Sequence, residues 1–388
     1  MVLFSVFMAG ADASAQDIIS LTTVIDSSIR NSPAVKSSNA AVSQQQHLLK
    51  SAINLPNPEI LLQNPTGHFY TIGVQQIFDF PTVYSVQRKI QKENIKLAET
   101  ATKYTLMDVK YQLHILYSEL QYQHQLMLLW QKQDSAYGKI SKNADRAFNA
   151  GTIDFVQSSF ARVQAGQIRT NYNLAKANFY GTMQQIKTLS GIRVDFTPDS
   201  LTSIGMLAIS TADTSLGHNY SLLYDQQQIT INERRIQLER QKALPGFTVA
   251  YLNQGEKNTI FQNRFYAGLR IPLWFWQYSG NIKAAKIQVE VSKYDAEANK
   301  MRLTGEMQAA YMKHLAYSEA LVHYNSQILQ DANALTNALN RFYTSGNYSY
   351  TDYLRNLNDA NEVRKTYWET LKNYNQTLIY IQYLNGTL

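Results

Sequence analysis

Cysteine is absent from the 388 residues, which excludes disulfides, thiolate metal sites, a cysteine nucleophile and a lipid anchor on an N-terminal cysteine. Charge is sparse, at 17% of residues, and the net +7 comes from Lys and Arg scattered singly. With no basic run and no base-reading motif, no nucleic-acid partner is expected. No apolar run reaches the ~18 residues that a transmembrane helix needs. Catalytic patterns are missing too. The seven histidines (47, 68, 114, 124, 218, 314, 323) stand singly, and there is no HExxH, G-x-S-x-G or glycine-rich phosphate loop. No enzyme activity, cofactor or metal site is expected, and the nine Met read as core filler at helical positions.

What is abundant is aromatic and polar without charge. Tyr alone counts 26, and amides, Ser and Thr fill much of the remainder, a composition suited to surfaces that pack on other chains or lie at a membrane interface. Residues 1–15 read as a secretory leader: Val2–Met8 is apolar and Ala13-Ser14-Ala15 is a small-residue cleavage site before Gln16. The missing positive charge before Arg30 departs from that pattern.

The chain is written twice. Gly73, Arg146, Gly151, Tyr172, Asn178, Ile186 and Gly191 recur as Gly268, Arg341, Gly346, Tyr367, Asn373, Ile381 and Gly386, each 195 residues later (346 − 151 = 195). Leu55-Pro56 returns as Leu244-Pro245 after 189 (244 − 55). Such a period far exceeds solenoid repeats and indicates duplication of a large supersecondary unit. The expected division is 16–191 for the first copy, 192–217 for an equatorial connection and 218–388 for the second copy.

Each copy reads as helix, hairpin, long helix, long helix. None of the eight prolines falls within 82–197 or 273–388, where an interior proline would cost about 3 kcal/mol. The paired long helices are placed at 82–189 and 277–385. Tyr353, Leu357, Ala360, Val363, Tyr367, Leu371, Tyr374, Leu378 and Ile381 keep coiled-coil-like steps, as do Phe160, Val163, Ile168, Tyr172, Ala175, Phe179, Ile186 and Leu189. A helix over 82–148 would be roughly 100 Å long. Its return helix over 153–189 is shorter, so an entry helix at 33–54 is expected to complete the layer beside it.

Hairpins are predicted at 59–80 and 247–275. Tyr70, Ile72 and Val74 alternate with Thr71, Gly73 and Gln75, and the segments are long enough to cross an outer membrane when tilted. Phe69, Tyr70, Phe80, Trp274 and Trp276 gather at their ends like the aromatic girdle of a membrane barrel. Bilayer strands leave no edge unpaired, and membrane barrels have about eight strands or more, so four strands per chain require several chains in one barrel. A soluble hairpin docked on a helical bundle is the alternative.

This order of elements resembles the TolC-like outer-membrane efflux proteins over nearly the whole chain. Leu55-Pro56-Asn57-Pro58-Glu59-Ile60 is similar to the strand entry of the CzcC/CusC-like cation-efflux branch, and Gly268-Leu269-Arg270-Ile271-Pro272-Leu273 to the end of the second hairpin. Gly151-Thr152-Ile153-Asp154-Phe155 and Gly346-Asn347-Tyr348-Ser349-Tyr350 resemble the turns between long helices. Many cation-branch relatives are lipoproteins, and this chain has no cysteine to acylate. The resemblance implies a mainly α fold with a small β part: long α-barrel helices, and four strands given to a twelve-stranded barrel of a homotrimer in outer-membrane lipid. It implies a tunnel through the periplasm, fed by an inner-membrane RND pump through a periplasmic adaptor.

On that resemblance, Gly151, Thr152, Ile153, Gly346, Asn347 and Tyr348 form the periplasmic tip where the adaptor docks. Asp145, Arg146, Asp154, Arg341 and Asp352, repeated around a trimer, would form charged rings at the gate. The expected cargo is small solutes, foremost heavy-metal cations. A multidrug or type I secretion duct is the alternative within the class, a channel-free structural coiled-coil protein of the envelope the alternative outside it, and a module of a longer pump–duct fusion a further possibility.

Overall fold

The computed structural model describes residues 18–63, 71–204, 216–253, 264–344 and 350–388. Residues 1–15, Phe69, Tyr70, Gly346, Asn347 and Tyr348, named above, lie outside the described residues.

The chain enters through α1 (Leu21–Asn31) and α2 (Pro33–Leu48), then forms β1 (Glu59–Gln63) and β2 (Thr71–Phe78). Two long helices follow, α3 (Pro81–Asn149) and α4 (Phe155–Ser190). The second half runs α5 (Tyr220–Lys242), β3 (Gly246–Asn253), β4 (Phe265–Arg270), α6 (Phe275–His323), a π-helical segment (Tyr324–Ile328), α7 (Leu329–Thr344) and α8 (Tyr350–Asn385). The repeat is visible in the bounds: 155–190 moved by 195 gives 350–385, the limits of α8.

The 69 residues of α3 make a helix about 104 Å long at 1.5 Å per residue. Pro81 opens it at the first turn, where no backbone donor is needed. It ends in a Schellman motif: Gly151 turns left-handed (φ +73°), its N–H meeting Phe148 O at 2.9 Å while Thr152 N–H meets Ala147 O at 2.9 Å. Asp154 then caps α4 by accepting from Gln157 N–H at 2.8 Å. Gly386 closes α8 by the same motif, with Thr387 N–H donating to Gln382 O at 3.0 Å.

Three differences from the sequence reading have physical causes. The entry helix, expected at 33–54, is two helices joined at Ser32, and the second stops at Leu48 ahead of the Pro56-Asn57-Pro58 strand entry. The strand expected to reach 275 ends at Arg270, because Pro272 has no N–H for the ladder and Phe275 already begins α6. The second-copy counterpart of α3 is interrupted after α6 at Tyr324–Ile328, where five residues take the wider π turn.

Val24, Val35, Leu113, Tyr117, Phe179, Ile186 and Phe196 form the main apolar cluster, joining α1–α4 to the stretch after α4. Each such side chain stabilises by about 1.5–3 kcal/mol when buried. Tyr117 Oη lies 2.7 Å from Ile19 O and 2.8 Å from the Asp199 carboxylate, and accepts from Asp199 N–H at 3.1 Å. One α3 hydroxyl thus binds both the start of the described chain and the inter-repeat stretch. The coiled-coil seam of α8 is buried at Tyr353, Leu357, Ala360, Leu371, Tyr374, Leu378 and Ile381, whereas Val163 on α4, expected in the other seam, is exposed.

Candidate functional site

The strands form one antiparallel sheet in the order β1-β2-β3-β4. The hairpins thus pair with each other through β2 and β3, from Ile72 opposite Asn253 to Phe78 opposite Phe247. β1 and β4 are the edges. Gln63, Thr71, Asn253 and Phe265 lie at one end of the sheet, and Glu59, Phe78, Gly246 and Arg270 at the other, where the strands meet the helices.

Register divides the sheet into two chemistries. Ile60 and Leu62 stand across from Val74 and Ile72; these share a face with Phe78, Phe247, Val249, Tyr251, Phe265 and Leu269. That apolar face is exposed, with Ile60 at 80%. Its polar members are partnered near the ends: Gln76 donates to Pro56 O at 2.6 Å, and Asn253 accepts from Arg264 at 2.8 Å. The opposite face carries Glu59, Gln63, Thr71, Gly73, Gln75, Thr248, Ala250, Gly268 and Arg270, with Leu61, Ile77, Leu252 and Tyr266 among them. Thr71 and Ala250 on that side are buried. A continuous exposed apolar face backed by a mixed face, richer in small and polar residues, is the pattern of a lipid-facing barrel wall.

Aromatics collect where strands pass into helices. Trp274 and Trp276 are exposed with ring centroids 5.2 Å apart, and the half-buried Phe80 ring lies 6.1 Å from Phe247.

A second unpartnered surface runs along α6. One side of that helix is buried within the chain at Val289, Ser292, Leu303, Met307, Ala310, His314 and Leu321. The other side carries Ile287, Val291, Tyr294, Ala298, Met301, Gly305, Met312, Leu315 and Val322 in steps of 3, 4 and 7, all exposed to solvent. An apolar heptad seam facing water is half of a coiled-coil contact. The sequence reading drew seams only on α4 and α8.

At the α3–α4 turn, Asp145 lies 3.3 Å from Arg162 and accepts from Ser158 at 2.9 Å, while Asp154 serves as the α4 cap. Arg146, Arg341 and Asp352 are exposed, Thr152 is exposed and Ile153 half-buried. Higher up, Tyr111, Tyr380 and Tyr383 cluster, with Tyr111 stacked on Tyr383 at 4.5 Å. Tyr380 donates to Glu306 at 2.7 Å, which holds that carboxyl below its usual range. His114, half-buried on α3, is pushed down to about 4 by burial and by neighbouring Lys110. Among the described residues no helix is long and apolar enough to cross a membrane, and no group of three or more His, Asp or Glu is placed to hold a metal.

The fold is that of the TolC-like outer-membrane channels. The chain is similar to the Campylobacter jejuni CmeC outer membrane channel (TM-score 0.78, 15% identity, 95% of this chain and 86% of that chain covered). It is similar to CusC, whose structures concern folding and transmembrane channel formation (TM-score 0.77, 13% identity, 94% and 92% covered). The open state of the Neisseria gonorrhoeae MtrE outer membrane channel also matches (TM-score 0.71, 12% identity, 94% and 88% covered). The sequence matches no family model and no curated protein.

Proposed function

We propose that this chain is one protomer of a homotrimeric outer-membrane duct that passively exports small solutes across the periplasm and outer membrane. The observation that carries it is the two-faced sheet with open edges: its apolar face needs lipid and its edge strands need neighbours. Three copies give twelve strands (3 × 4). The exposed α6 seam supplies the matching helical contact. The duct is a channel without catalysis of its own, and takes substrate from an RND-type pump through a periplasmic adaptor docked at the Gly151 and Gly346 turns. Heavy-metal cations are the first cargo class to test, supported by the resemblance of the Leu55–Ile60 strand entry to the cation-efflux branch. Reconstitution into planar bilayers tests the channel: stepwise ion conductance supports it, and a silent bilayer with the protein inserted contradicts it.

A further inference from the structure

A groove of about 610 Å³ opens between α3, α7 and α8, well below the sheet, and its wall contains polar atoms that nothing satisfies. Gln133 is 6% exposed and Asn361 3%. Among the described residues, both the Nε2 and Oε1 of Gln133 lack hydrogen-bond partners, as does Nδ2 of Asn361. Leaving such a group buried and unpaired costs about 1–3 kcal/mol, so three in one groove mark a place where another molecule supplies partners.

The rest of the lining says what that molecule is. Asn361 Oδ1 already accepts from Arg364 at 3.0 Å, so the amide's free end is a donor. Arg364 is fixed at the wall by Asn333 at 2.8 Å and Thr336 at 3.1 Å. Lys132 stands exposed at the rim with no ion pair among the described residues, and no carboxylate lines the groove. Two cations and two amide donors suit a carboxylate, while Gln133 Oε1 asks for one donor in return. The rings of Tyr137 and Trp368 provide flat apolar walls.

We propose that this groove binds a small aromatic carboxylic acid that also carries an amino or hydroxyl donor. Ordered water is the competing occupant, and it satisfies amides without selecting for a ring or a negative charge. The site does not depend on the duct function, so a silent bilayer leaves it standing.

Calorimetric titration of the intact chain in detergent with 4-aminobenzoate tests it, with 4-aminobenzamide as the neutral comparison. The acid is expected to bind once per chain and the amide about tenfold more weakly. Gln133→Leu with Asn361→Leu is expected to weaken the acid by about tenfold or more while leaving thermal stability equal or higher, since the unpaired amides are gone. Lys132→Ser, at the solvent-exposed rim, folds regardless and is expected to weaken the acid severalfold but not the amide. No binding of the acid at millimolar concentration, equal binding of the neutral amide, or undiminished binding by these variants overturns the proposal.

Discussion

Arg270 at the end of β4 reaches over Gly246 and lies 2.7 Å from Asp79, the residue that follows β2. The pair spans the ends of β2 and β4 and the start of β3, where the sheet meets α3, α5 and α6. Both side chains are about half exposed, so the ion pair itself contributes at most about 1 kcal/mol. The space it needs matters more. A Cβ on Gly246 would stand 2.8 Å from Phe78 O and 2.9 Å from Arg270 Nη2.

Gly246→Val is therefore expected to lower the yield of assembled protein in the outer-membrane fraction severalfold, while Asp79→Asn leaves it near normal. Gly73→Val should act like Gly246→Val, because its Cβ would lie 2.6 Å from Tyr251 O and 2.5 Å from the Leu252 side chain. Normal assembly of both glycine variants would show that the sheet does not hold this register.

Val74 and Gln75 are neighbours on opposite faces, with Val74 across from Ile60 and Gln75 across from Glu59. A lysine on the lipid face of a barrel costs about 2–4 kcal/mol near the bilayer midplane. Val74→Lys is expected to reduce membrane insertion strongly and Gln75→Lys hardly at all. Fractionation and protease protection measure both, and equal effects would contradict the outward apolar face.

The open seam of α6 makes its own prediction. Ile287→Asp combined with Met301→Asp is expected to shift the detergent-extracted protein toward monomer, with the chain still folded by circular dichroism. Lys293→Ser, off the seam, should leave assembly unchanged. An intact oligomer in the double variant would place the subunit contact elsewhere.

His114 has no hydrogen-bond partner at Nδ1 among the described residues, and burial holds its pKa near 4 against 6.5 when unfolded. A lowered histidine pKa means that the unfolded chain binds the extra proton first. Stability is full above about pH 6.5 and falls as the pH drops toward 4, by on the order of 3 kcal/mol once both states are charged. Melting temperature against pH should show this slope, and His114→Gln should flatten it. An unchanged slope would mean that other groups dominate acid sensitivity.

Arg146 and Arg341 occupy corresponding places in the two copies, and Arg146 is exposed in the last turn of α3. Replacing both by Ala is expected to raise single-channel conductance severalfold, the outcome that the proposed charged gate requires. Equal conductance would remove these arginines from any gate.

Much of this architecture is legible because proline and glycine punctuate the sequence. Their spacing places the long helices, and the 195-residue offset carries the bounds of α4 onto α8. Other features are not local. The β2–β3 pairing joins residues 169 (247 − 78) to 181 (253 − 72) apart, and no turn motif announces it. The exposed seam of α6 hides because the helix also has a buried apolar side, so Ile287 and Val289 look alike in sequence. Alternation likewise shows that two faces differ, but only register puts Ile60, Val74, Tyr251 and Phe265 on one surface. The Gln133–Asn361 groove is tertiary altogether, two ordinary amides brought to one cavity by α3 and α8.

The claim that several chains share one barrel is tested most directly by the mass of the protein extracted from outer membranes in mild detergent. With a chain of 44.2 kDa, light scattering corrected for bound detergent should give about 130 kDa (3 × 44.2). A single chain of about 44 kDa, stable and folded in that detergent or in plain buffer, would contradict it.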